Sequence, residues 1–189
     1  MPRSPTDICN RALAMIGANR ITVIGEAGQV GALCGLLYPE LRDTLLADHT
    51  WNFALARASL AASDTAPKWG YSGAFPLPSE CLRVVRVNAS DPTTDWKVEG
   101  GAIVTNIGAP VEILYISRAT DPVKFSAAFT EALVHRLAAE LAMALQDNAS
   151  ERDRLVQVAE ARLRVARSQD AAEGRPDAVW ADTFILARF

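Results

Sequence analysis

The sequence has little of what active sites are usually built from. It holds only two histidines, His49 and His135, and neither falls in an HExxH or HxxxH spacing. The several nitrogen and sulfur ligands of a zinc site are therefore not present as a motif. The three cysteines, Cys9, Cys34 and Cys81, cannot all pair and form no CxxC. Their apolar neighbours mark them as buried free thiols of a chain that folds in a reducing cytoplasm. No serine lies in a GxSxG, and no cysteine has a histidine close by in sequence. Glycines at 25, 28, 31 and 35 match neither GxGxxG nor GxxxxGKS/T. They are expected to serve as a flexible helix start and as relief around Pro39.

Excess positive charge is missing too. The net charge is -3, whereas proteins that grip nucleic acid are usually basic because phosphate neutralisation dominates their affinity. No run approaches the roughly 18 apolar residues of a membrane span, and no apolar stretch follows the first charges as in a signal peptide. No catalytic, cofactor-binding or metal-ligating set, and no bound cofactor, is expected from these residues.

What is present is ordinary globular material. Of 189 residues, 50% are hydrophobic and 22% charged, enough for one packed domain with room for an insert. Ser4, Pro5 and Asp7 predict the capped start of a first helix that Gly17 ends. Leu33, Leu37, Leu41 and Leu45 predict a second helix over about 29–49, with Pro39 inside it as a kink. The period then changes. Leu82 to Val87 reads as a strand, and residues 95–99, Gly100-Gly101 and 102–105 as a hairpin. Val111 to Ile116 reads as a strand covered on both faces. Asp91-Pro92 signals a turn. Together these predict one small antiparallel sheet of about four strands.

Two more helices follow. From Asp121-Pro122 onward, Phe125, Phe129, Leu133, Leu137, Leu141 and Leu145 predict a largely buried central helix, with His135 on its polar stripe. Another begins near Asn148, with Val156, Ala159, Leu163 and Ala166 as its apolar seam and a Glu160–Arg164 pair on its surface. Gly174 and Pro176 end it. The last residues then carry Trp180, Phe184, Ile185, Leu186 and Phe189, where a free tail should be polar. Such a tail must bury itself on its own domain or on a partner. Trp180, Phe184, Arg188 and Phe189 are the candidate docking residues. Trp51 and Phe53 are expected in the core.

The predicted class is α+β: a bundle of about four helices with an antiparallel β insert and an extended apolar C-terminal tail. Residues 1–174 form one domain, helical over 1–60 and 121–174 with the insert at about 70–118. Residues 175–189 form the tail.

Two functional alternatives attach to particular residues. Glu99 and Glu112 would serve a carboxylate-dependent cell-wall or polysaccharide hydrolase if adjacent strands set them about 5–9.5 Å apart. Arg152, Arg154, Arg162, Arg164 and Arg167 would suit a DNA-binding helix, but interleaved Glu151, Asp153 and Glu160 favour a solvated face.

The segments ICNRALAMIG, LYPELRDTLLADHTWNFALARASLA, LPSECLRVVRV, DWKVEGGAIVTN and VEILYISRATDPVKF, in that order, resemble the tail tubular protein A family of short-tailed phages, also called adaptors or gatekeepers. The most specific piece is His49-Thr-Trp51-Asn-Phe53-Ala, followed by Leu77-Pro78 and Trp96-Lys-Val-Glu-Gly. The resemblance covers nearly the whole chain. It implies a helical bundle with a β insert and a non-enzymatic virion subunit, made in the host bacterial cytoplasm. It implies a head-to-tail connector ring, dodecameric on the virion, between the portal protein and the tail nozzle (tubular protein B-like) protein. DNA passes through such a ring at ejection without sequence-specific binding. Isolated adaptors can stay monomeric until a portal templates them. No membrane contact is implied.

Overall fold

A computed structural model describes residues 4–87 and 94–174 of the chain. Among these residues the architecture is α+β, four helices and two small antiparallel sheets. The Asp91-Pro92 turn signal and the tail residues Trp180, Phe184, Arg188 and Phe189 lie outside the described residues.

Helix α1 spans Pro5–Met15 and opens on a full capping box. Ser4 Oγ accepts from the Asp7 amide at 3.0 Å, and Asp7 accepts from the Ser4 amide at 3.0 Å. Helix α2, Gln29–Asp48, runs unbroken through Pro39. The glycines before and within it have a purpose other than flexibility. A Cβ on Gly35 would stand 3.0 Å from Gly25 Cα, and one on Gly31 only 2.4 Å from the Glu26 carbonyl oxygen. Only hydrogen at these positions lets the preceding loop lie on the helix.

Helix α3, Ala127–Gln146, is the buried centre of the bundle, and it packs on α1, α2 and α4. It begins later than Asp121-Pro122 suggests. Pro122–Lys124 forms a separate 3-10 turn, and Ser126 caps α3 through the Phe129 amide at 3.1 Å. Asp147 closes it in the left-handed conformation, φ 50°. Helix α4, Ala149–Ala172, returns antiparallel on α3 and buries Leu155, Ala159, Leu163, Ala166 and Asp170.

Among the described residues the insert holds six strands. Strands β1 (Leu55–Leu60), β6 (Val111–Ser117) and β3 (Cys81–Val87) make one sheet in the order β1-β6-β3. Strands β2 (Gly73–Pro76), β5 (Ala102–Thr105) and β4 (Trp96–Glu99) make a second in the order β2-β5-β4. The single sheet of about four strands is therefore replaced by two three-stranded sheets, and the helical stretch stops at Asp48 rather than near residue 60. Leu55-Ala-Arg-Ala-Ser-Leu60 has no β-branched residue, yet all six positions pair with the β-branched-rich β6. Tertiary pairing overrides local preference there. The predicted hairpin is present, with Glu99 opposite Ala102 and both turn glycines at positive φ, 56° and 80°.

There are two cores. One fills the bundle around α3. The other lies in the insert, with Phe75 and Ile103 from the second sheet against Val111, Ile113 and Tyr115 of β6. β6 serves both, because its Ile116 belongs to the bundle core. An ion pair ties the insert's root to the bundle. Arg118, just after β6, meets Asp43 of α2 at 2.8 Å, and Asp43 also accepts from the nearly buried Arg42. The strand β6 is covered on both faces only at its Ile116 end. At the other end Glu112 and Leu114, with Arg57 and Arg86, line an open depression of about 330 Å3.

Candidate assembly surface at the root of the C-terminal segment

The sequence His49-Thr-Trp-Asn-Phe53 leaves α2 and turns sharply into β1 through a 3-10 turn, Asn52–Ala54. Trp51 is fully buried, and its indole Nε1 donates to the Leu45 carbonyl at 2.8 Å. That bond satisfies one of the carbonyls left open at the end of α2. The ring stands edge-on to Phe129 at 5.0 Å and stacks on Phe53 at 5.9 Å. Phe125 completes the group against Phe53 and Phe129. Such rings contribute area and a preferred geometry together. Trp51 is in the core as expected, and Phe53 packs against it, half-buried.

The same short segment holds the end of α4. Asp170 is only 6% exposed. Its carboxylate accepts from the Asn52 amide at 2.9 Å and lies 3.3 Å from His49 Nε2. The Asp170 carbonyl accepts from Asn52 Nδ2 at 2.7 Å. A buried carboxylate costs free energy unless it is bonded in this way. One turn earlier Arg167 pairs with Asp48, the last residue of α2. His49 also stands edge-on to Trp51 at 4.6 Å. The His-Thr-Trp-Asn-Phe segment and Asp48 thus hold the last turns of α4 against the end of α2.

Asp170 was missed by sequence reading, although a signal existed. Buried α4 positions fall at 155, 159, 163, 166 and 170, so Asp170 continues the apolar stripe as a charge. A carboxylate on that stripe demands a partner. The same holds for Arg42, which follows Cys34 and Tyr38 at helical spacing on the buried side of α2. Its guanidinium lies 5.8 Å from the Tyr38 ring centre, and burial pushes the Tyr38 hydroxyl up to about 12.

The ends of α2 and α4 meet through these ties, but further back an open groove separates the two helices. Leu41, Thr44, Leu45, Ala47 and Asp48 of α2, Arg136 of α3, and Glu160 and Leu163 of α4 line a cavity of about 620 Å3. Arg136 is held there by Glu140 at 3.0 Å.

The other candidates fall elsewhere. Glu112 lies in β6 of the first sheet and Glu99 in β4 of the second, so no ladder sets them side by side. His135 Nδ1 lies 2.7 Å from the Glu131 carbonyl oxygen, one turn back on α3. Cys9 and Cys34 are buried free thiols and Cys81 is half-buried. Burial first, and then the neighbouring Cys34, pushes the Cys9 thiol far above its ordinary value, which leaves it inert as a nucleophile. Among the described residues no cluster of three or more histidine, cysteine or acidic side chains could hold a metal ion. On α4, Arg154 pairs with Glu151 at 2.5 Å and Arg152 with Asp153 at 3.1 Å. The expected Glu160–Arg164 pair is not made.

Among the described residues no helix is long and apolar enough to cross a membrane. No protein-family description matches the chain, and comparison with curated proteins finds no match either.

Proposed function

We propose that this chain is a structural virion subunit, a head-to-tail adaptor of the tail tubular protein A kind. In that role it joins copies of itself in a ring between a portal and a tail nozzle, and DNA passes through without sequence-specific binding. The observation that carries the reading is the fixed root of the C-terminal segment. Asp170, held by His49 and Asn52, and Arg167, paired with Asp48, orient the last turns of α4 a few residues before an apolar stretch of sequence. Orienting a docking segment in advance lowers the entropy cost of its binding.

A ring of identical subunits needs one face to meet a different face on the next copy. A directed segment at one end of the bundle supplies one such element. Trp180, Phe184, Arg188 and Phe189 are the residues that would meet a neighbouring subunit or the portal. The helical bundle with a β insert is also the architecture that the family resemblance implies.

The test is to mix the purified chain with its cognate portal and image the product. A ring of this chain beneath the portal is expected. A chain lacking residues 177–189 should keep its helical circular dichroism and form no ring. A full-length chain that leaves the portal bare would overturn the proposal.

A further inference from the structure

We infer that Trp69 of one subunit docks in the depression on the first sheet of a second copy of the same chain, with its ring between that copy's Arg57 and Arg86. Both surfaces belong to the insert. Trp69 is 86% exposed, more than any other large apolar side chain among the described residues. It stands in residues 61–72, a stretch without helix or strand between β1 and β2. Connections of that length are uncommon in compact domains unless they bind something or act as linkers. This one is no linker, because both its ends are pinned. The Ser63 amide donates to the Ala74 carbonyl of β2 at 2.8 Å, and the Ser72 amide to Asn106 Oδ1, just after β5, at 2.9 Å. Lys68, Trp69 and Gly70 are thus an exposed knob rooted on the second sheet.

The depression is built by strand register. Leu114 of β6 lies opposite Arg57 of β1 on one side and Arg86 of β3 on the other. Residues directly opposite share a face, so the two arginines bracket Leu114 in one row. Neighbouring strands lie about 4.8 Å apart, which sets the two arginine Cα atoms about 10 Å from each other. A guanidinium attracts an aromatic ring within about 6 Å of the ring centre, and tryptophan is the best acceptor. A ring resting on Leu114 midway between the two is within reach of both. Arg86 and Glu112 each have an interaction in their own subunit. A guanidinium so engaged keeps its flat face open to a ring, because its donors point in the plane.

Size and charge agree. The depression holds about 330 Å3, at the small end of ligand pockets of about 300–1,000 Å3, which suits one aromatic side chain. Its lining is Arg57, Ser59, Arg86, Glu112 and Leu114, with Ala58 and Ile113 between them in the strands. The acid among these, Glu112, complements Lys68, the neighbour of Trp69 in the knob.

The placement of the two features makes the partner a second copy. In β6, Glu112 and Leu114 alternate with Val111, Ile113 and Tyr115, which pack with Phe75 and Ile103 of the second sheet. The depression therefore lies on the side of the first sheet away from the sheet that carries the knob. A knob and a hole on opposite sides of one subunit make a head-to-tail contact, in which two different faces meet. This inference goes beyond the adaptor proposal and does not rest on it.

The experiment mixes equal amounts of light and heavy-nitrogen full-length chain at high concentration. Zero-length carbodiimide coupling then joins lysines to carboxylates already in contact, and the linked peptides are read by mass spectrometry. The expected result is a Lys68–Glu112 link, half of it with one light and one heavy partner. A link found only between peptides of one isotope would overturn the inference in favour of each subunit's own loop. Absence of the Lys68–Glu112 link would overturn it outright. A second mixture pairs heavy Trp69→Ala with light Arg57→Glu, both exposed sites whose change should leave the helical circular dichroism unaltered. Lys68 of the Arg57→Glu chain should still link to Glu112 of the Trp69→Ala chain, and the reverse link should be about tenfold rarer. Equal yields in the two directions would show that Trp69 and Arg57 do not form the contact. Portal binding is scored separately, so failure of the adaptor proposal leaves these readouts unaffected.

Discussion

The helical base and the β insert bury their apolar side chains in different ways. In the base, α3 is enclosed by α1, α2 and α4, and polar side chains on buried stripes are tied across elements, as Asp170 is to Asn52 and Trp51 to Leu45. In the insert, two sheets of three short strands share a core of a few residues centred on Phe75, Ile103 and Ile113. The insert depends on the base through Ile116 of β6 and the Arg118–Asp43 pair. The difference is a division of labour in stability: the base holds most of the buried core, and the insert is anchored to it.

The largest effect should come from breaking the base. Trp51→Ala removes a fully buried ring, and losses of that kind cost about 3–5 kcal/mol. It also leaves the Leu45 carbonyl without its indole donor. The urea midpoint followed by helical circular dichroism should drop for the whole molecule. Phe75→Ala makes a comparable hole in the insert, but the damage should stay local. Amide exchange should speed up over 96–105 and 111–115 while α3 stays protected. Equal acceleration in α3 would show one cooperative unit, and the division would be wrong.

The base was more legible in the sequence than the insert, and the reason is physical. Helical periodicity spans many residues, so Phe129, Leu133, Leu137 and Leu141 announce α3 without help from the rest of the chain. Caps such as Ser4 and turns such as Gly100-Gly101 are local chemistry and were equally plain. Strand β1 was not, because Leu55-Ala-Arg-Ala-Ser-Leu60 becomes a strand only through a partner more than fifty residues away. The second sheet was hidden for the same reason, since Gly73-Ala-Phe-Pro76 is too short to show a period. In the candidate assembly surface, the packing of Trp51 and Phe53 could be read and their tie to Asp170 could not. Which buried charge meets which partner is settled by the tertiary fold.

A smaller change sharpens the comparison within the base. Asp170→Ala removes the acceptor that holds Asn52 and His49, and leaves the Asn52 amide without its partner. Hydrogen bonds to a charged group of this kind are worth about 1.5–3 kcal/mol. The loss should appear mainly as local opening of the last two turns of α4, measured by amide exchange over 164–172. α3 should slow or speed by much less. If the whole bundle loosened equally, the junction would be part of the general core rather than a local fixture of the end of α4.

The smallest effect lies at the opposite helix end, which is exposed rather than buried. Ser4→Ala removes the side-chain cap of α1 and should cost about 1 kcal/mol at neutral pH. The cap also makes a pH signature. The Ser4 hydroxyl, followed by the Ser4 amide, holds the Asp7 carboxyl below its ordinary value of 3.8. A carboxyl lowered by folding stabilises the native state fully above its unfolded pKa, and that contribution fades as the pH falls through the lowered value. Asp7→Asn should therefore flatten the acid side of the stability curve. It should not remove it, because Glu80 and Glu151 are lowered in the same direction by their own hydrogen bonds. A curve that kept its full acid slope in Asp7→Asn would mean that this exposed cap contributes nothing to the charge balance of folding, and that the base draws its stability from its buried ties alone.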